Sequence, residues 1–155
     1  MSIIVTGSSR GIGKAITEEL LAKNFKVIGI ARYEKDNPIS DPNFTALKID
    51  LSKSDFSSIN KALKPFYPIY TLICNAGKGL FGKIEQLSPQ EILETIHLNF
   101  TSQALLAKAV IPFMKKEKKG RLIFIGSESA LQGKKEGSIY CASKFALRGL
   151  SQSLR

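Results

Sequence analysis

A β-branched run from Ser2 to Thr6 passes directly into Gly7-Ser8-Ser9-Arg10-Gly11-Ile12-Gly13 and then into an amphipathic stretch that ends near Ala22. Strand, glycine-rich turn and helix in immediate succession constrain this chain more than any other feature. The first run has no helical period, whereas the stretch from Ile12 repeats apolar residues at helical spacing. The turn between them gathers backbone N–H groups at the positive end of a helix dipole, and its glycines let a pyrophosphate approach the backbone. The spacing of Gly7, Gly11 and Gly13 departs from the common G-x-G-x-x-G pattern, so it is more diagnostic than a lone glycine triplet.

The same alternation continues along the chain. Lys26 to Ala31 and Phe44 to Asp50 repeat the strand signal, Ser54 to Leu63 reads as a helix, and Tyr70 to Cys74 is a further buried strand. Ser88-Pro89-Gln90-Glu91 opens a helix with an N-cap serine, a proline at the first helical position and a glutamate at the third. That helix runs to about Lys115, with Pro112 expected to end or kink its last turn. Arg121 to Gly126 is the fifth strand, and the last helix begins near Ser138. Strands apolar on both faces and separated by helices predict a doubly wound parallel α/β sheet of order 3-2-1-4-5. Ligands bind such sheets beyond the strand C-termini, where the order reverses.

A chain of 155 residues, 43% apolar and 23% charged, has the size and composition of one globular domain. Its net charge of +10 favours polyanionic partners. The lysines gather at helix ends, as in Lys115-Lys116-Glu117-Lys118-Lys119, with no interleaved aromatic residues to stack on bases, which argues against nucleic acid. A phosphate-bearing cofactor uses the charge more economically. No apolar stretch is long enough to span a bilayer, and no signal peptide is read, which points to a protein without membrane attachment. Cys74 and Cys141 are expected to be two reduced thiols, a pattern that suits the cytoplasm. With His97 as the single histidine and no clustered cysteines, no metal site is expected; His97 reads as a structural residue and Cys141 as packing.

Tyr140-Cys141-Ala142-Ser143-Lys144, with Ser127 upstream, carries the chemistry. A tyrosine at i and a lysine at i+4 share one helix face. A free phenol ionises near pH 10, and acid/base work near neutrality needs roughly 4 kcal/mol in favour of the tyrosinate. One ammonium at about 4 Å contributes on the order of that amount in an effective dielectric of about 20.

Together with the glycine turn, this segment makes the chain resemble the short-chain dehydrogenase/reductase family, and the resemblance runs the length of the sequence. Asn75-Ala76-Gly77, after the fourth strand, is similar to the family's cofactor-bordering Asn-Ala-Gly. Asp50-Leu51 is similar to its acidic-aliphatic pair near the adenine ring, and Asn99 to its helix asparagine, which supports a water in the proton relay. The resemblance implies a single Rossmann-like NAD(P)-binding domain over residues 1–155. It also implies an oxidoreductase in which Ser127 holds the substrate oxygen, Tyr140 transfers its proton, and Lys144 assists Tyr140 and binds the nicotinamide ribose. Catalytic roles thus fall to Asn99, Ser127, Tyr140 and Lys144. Cofactor contacts fall to Gly7, Ser9, Arg10, Gly11, Ile12, Gly13, Arg32, Asp50, Leu51, Asn75, Ala76 and Gly77, with Tyr140 and Lys144 added.

Ile30-Ala31-Arg32-Tyr33 ends the second strand, where an acidic residue would bind the ribose of NAD and an arginine the extra phosphate of NADP. Arg32 and Arg10 can clamp that phosphate, so NADP is favoured, while Glu34 keeps NAD open. The family continues beyond the Tyr-Lys helix with further strands and a substrate pocket. The chain is therefore expected to be C-terminally incomplete, lacking the last strands. Two functions follow: an NADP-dependent enzyme acting on a small carbonyl or alcohol compound, as a homodimer or homotetramer, or a non-catalytic nucleotide-binding or interaction module.

Overall fold

The structure, a computed structural model, describes residues 2–32 and 39–154. Five strands, β1 (Ser2–Thr6), β2 (Lys26–Ala31), β3 (Phe44–Lys48), β4 (Ile69–Cys74) and β5 (Arg121–Phe124), form one parallel sheet of order β3-β2-β1-β4-β5. The expected order is the observed one. The described residues also form five α-helices: α1 (Gly11–Ala22), α2 (Phe56–Leu63), α3 (Pro89–Ile96) and α4 (Ser102–Lys116) between strands, and α5 (Ser138–Ser153) after β5.

Alternate residues of β1 show why both sheet faces need cover. Ile4 packs with Ile28, Ile59, Leu72, Leu106 and Val110 on the face covered by α2 and α4. Ile3 and Val5 pack with Leu21, Val27 and Ile73 on the α1 face. The third strand departs from the expectation of two apolar faces. Its Thr45, Ala46 and Lys48 are exposed, because β3 is the edge strand and ends at Lys48 instead of reaching Asp50.

Ser88 opens α3 with a complete capping box: its hydroxyl accepts the Glu91 N–H, and Glu91 accepts the Ser88 N–H. The long helix expected from there is divided. Residues His97–Thr101 form one π-helical turn between α3 and α4. Pro112 does not end α4, which continues to Lys116. Leu106, Ala107, Ala109, Val110 and Met114 are buried along its other face, and that packing holds the helix through a proline whose ring faces solvent.

Candidate active site

At the C-terminal ends of β1, β2, β4 and β5 lies a cavity of about 480 Å³, where the strand order reverses. Gly7, Ser9, Arg10, Gly11 and Ile12 form its floor beside α1, and Ala31 and Arg32 line it at the end of β2. Asn75 to Gly79 line it after β4, and Ile125 and Gly126 after β5. Tyr140 and Lys144 reach it from α5.

The turn requires its glycines for different reasons. Gly7 has φ +69° and Gly11 φ +55°, backbone conformations that side chains disfavour. Gly13 instead lies against the Gly7 carbonyl and the Asn75 side chain, where a Cβ would collide with both. It therefore packs the turn without lining the cavity, a different position from the contact expected of it. Arg10 occupies the N-cap of α1 in extended conformation, with no side-chain cap and no acidic residue in the first turn. The first amides of α1 are thus left for an outside acceptor, and that end of the dipole carries no built-in anion. These features fit a pyrophosphate.

Thr6, fully buried, braces this floor against the opposite wall. Its hydroxyl accepts the N–H groups of Asn75 at 2.9 Å and Ala76 at 2.8 Å, and the Asn75 side chain donates to the Thr6 carbonyl at 2.9 Å. Gln103 of α4 closes the brace by donating to the Ala76 carbonyl at 3.2 Å.

Tyr140 and Lys144 sit one turn apart on α5 and face the same cavity. Lys144 Nζ lies 5.9 Å from the Tyr140 ring centre and donates to the Ile125 carbonyl at 2.9 Å. Burial holds the Lys144 ammonium below its usual pKa. Phe81, 65% exposed, packs at an angle on Tyr140 with ring centres 5.6 Å apart.

Besides Gly13, three further expected residues lie outside the cavity lining. Asn99 is buried, and its side chain is committed elsewhere: Oδ1 accepts the Lys78 N–H at 2.8 Å, while Nδ2 donates to the Lys78 carbonyl at 2.9 Å and to Ser143 Oγ at 3.0 Å. An amide with both protons placed in this way is a structural joint; its side chain has no proton left for a relay water. Asp50 turns into its own loop, accepting the Ser52 N–H at 3.0 Å and hydroxyl at 2.6 Å. Burial works against the Asp50 charge, but these bonds and the nearby Arg32 and Lys53 hold its carboxyl below the usual value. The neighbours Ile49 and Leu51 line the cavity in its place. Ser127 Oγ caps a short turn by accepting the Ser129 N–H at 3.1 Å, a bond that leaves the hydroxyl proton unused.

Lys78 and Gly79 also line the cavity, and so do Ile30, Leu98, Ile125 and Gly126, which escape sequence reasoning. The signal shared by these four is adjacency: they flank strand ends and motif residues and carry no ionisable or hydroxyl side chain. Arg10 and Arg32 are both present at the lining, whereas Tyr33 and Glu34 lie outside the described residues. His97 bonds the Ser54 carbonyl through Nε2 at 2.9 Å, a structural role. Cys74 and Cys141 are free and buried, and Cys141 Sγ accepts the Lys134 N–H at 3.3 Å. Among the described residues no cluster of His, Cys, Asp or Glu could hold a metal ion, and no helix is long and apolar enough to cross a membrane.

Comparison with known proteins agrees with this geometry. Residues 1–155 match the family model described as short chain dehydrogenase. The chain is 36% identical to the 3-oxoacyl-(acyl-carrier-protein) reductase of Escherichia coli over 157 residues, covering 97% of this chain and 64% of that protein. A metagenomic short-chain oxidoreductase solved in complex with NADP superposes with a TM-score of 0.90 at 30% identity, covering 99% of this chain and 73% of that one. A 4-hydroxyisoleucine dehydrogenase complexed with NADH gives 0.87 at 27% identity, covering 99% and 67%. The chain spans about half the length of several curated relatives it matches.

Proposed function

The chain belongs to the short-chain dehydrogenase/reductase family, and from that premise we propose an NADP-dependent oxidoreductase acting on a carbonyl or alcohol substrate, with Tyr140 as its acid/base. One observation carries this reading: Tyr140 and Lys144 open into the same cavity as the uncapped N-terminus of α1. Cofactor floor and proton-transfer face thus belong to one site, within a single domain over residues 1–155.

A bound nicotinamide supplies or accepts the hydride. The chain's own residues do the rest. The Gly7 to Ile12 turn binds the pyrophosphate through its amides, Gly13 lets that turn pack, and Leu51 offers an apolar wall for the adenine. Arg10 and Arg32 neutralise the extra phosphate of NADP, which is why NADP is preferred and NAD is the weaker alternative. Asn75, Ala76 and Gly77 form the opposite wall. Tyr140 holds the proton at its hydroxyl, to be given to or taken from the substrate oxygen. Lys144 brings a positive charge to that proton and keeps two donors beyond its Ile125 bond for the ribose. Ser127 orients the substrate oxygen with its uncommitted proton. Asn99 contributes by holding the site together.

Two buried free thiols support a cytoplasmic setting. Self-association into a homodimer or homotetramer belongs to the same reading. The test is titration with NADPH and NADH, followed by consumption of NADPH with a panel of aldehydes and ketones. Tight NADPH binding with turnover is expected. NADPH binding with no turnover would favour the non-catalytic nucleotide-binding module, and no binding of either cofactor would contradict the enzyme reading and leave only the interaction module.

A further inference from the structure

We infer that Ser143 is a positioning residue that couples the cofactor wall to the acid/base helix through Asn99. Ser143 is fully buried and touches both sides. Its hydroxyl accepts a proton from Asn99 Nδ2 at 3.0 Å and donates its own to the Tyr140 carbonyl at 2.7 Å. Asn99 in turn grips Lys78 by both main-chain groups, and Lys78 continues the wall formed by Asn75 to Gly77. Gly77 leaves room for this grip, because a Cβ there would stand 3.2 Å from Asn99 Oδ1. Lys78 Nζ adds an ion pair with Glu94 of α3 at 3.3 Å.

Helical geometry gives the joint its leverage. At about 100° per residue, Ser143 lies roughly 60° to one side of Tyr140 and Lys144 roughly 40° to the other. A bond that fixes Ser143 therefore fixes the rotation of α5 that aims both functional side chains into the cavity. The π-helical turn at His97–Thr101 presents Asn99 to α5 and to the β4 loop at once. Each donor and acceptor of the joint is satisfied, so the coupling is rigid.

The inference rests on the oxidoreductase reading for its effect on rate, and two measurements on Ser143→Ala separate the two. In steady-state kinetics kcat is expected to fall at least about 20-fold, while the KM of the carbonyl and the affinity for NADPH stay within about threefold. In hydrogen–deuterium exchange, NADPH is expected to slow exchange over residues 138–147 in the wild type and to lose that effect in S143A. A kcat within about threefold of wild type overturns the inference, and so does NADPH protection of 138–147 that survives the substitution. If the wild type reduces no carbonyl, the oxidoreductase reading falls on its own and the exchange result alone decides the coupling.

Discussion

Lys144 stands one helical turn from Tyr140, its Nζ 5.9 Å from the centre of the phenol ring, and is fixed there by a 2.9 Å bond to the Ile125 carbonyl. That places a charged group in a pocket where only 6% of the residue is exposed. Burial holds the ammonium below its usual 10.5, so the unfolded chain binds more protons between the folded value and 10.5. Stability contributed by this group therefore rises with pH across that window and is constant below it. The unfolding free energy of wild type relative to Lys144→Met should increase as the pH is raised toward 10.5. Urea unfolding of both proteins at a series of pH values checks this; a difference that stays flat or falls would contradict it.

The glycine turn makes a prediction by contrast. Gly13→Ala sets a Cβ against the Gly7 carbonyl and Asn75, so it should cost about 1–3 kcal/mol in urea unfolding and weaken NADPH binding at least about tenfold. Gly11→Ala has open space around it and only the strain of φ +55°, about 1–2 kcal/mol. The measurement that separates them is urea unfolding without cofactor, since Gly11 also lines the cofactor floor. Gly11→Ala should be the milder change there, and a larger loss of stability in Gly11→Ala than in Gly13→Ala would refute the packing role given to Gly13.

Arg10 and Arg32 should set cofactor choice. Charge-assisted bonds contribute about 1.5–3 kcal/mol each, so either arginine replaced by alanine should weaken NADPH about tenfold or more. NADH affinity should change by less than about threefold, because it lacks the phosphate these side chains address. Fluorescence titration of both cofactors reads the ratio directly. Parallel loss of NADH and NADPH would show that the arginines serve the shared pyrophosphate instead.

How much of this was legible in the sequence follows from which forces are local. β1 and β2 begin and end where their β-branched runs do, and the Ser88 box forms as its four residues require, because strand pattern and capping are short-range chemistry. The Gly7 to Gly13 turn and the Tyr140–Lys144 face were equally readable, each resting on backbone geometry within a few residues. Asn99 was not. Its partners Lys78 and Ser143 lie 21 and 44 residues away, so only the fold reveals that its amide is already committed. Asp50 departs from expectation for the opposite reason: Ser52, two residues on, holds Asp50 Oδ1 locally, and the residue lies outside the cavity lining. Pro112 passes through α4 because tertiary packing of the opposite face outweighs a local rule.

The most direct test of the account is Tyr140→Phe, which removes one hydroxyl and keeps the ring that packs on Phe81. NADPH affinity should stay within about threefold of wild type while carbonyl reduction falls at least about 100-fold, the usual contribution of a positioned acid/base. Turnover by Y140F close to the wild-type rate would contradict the assignment of proton transfer to Tyr140.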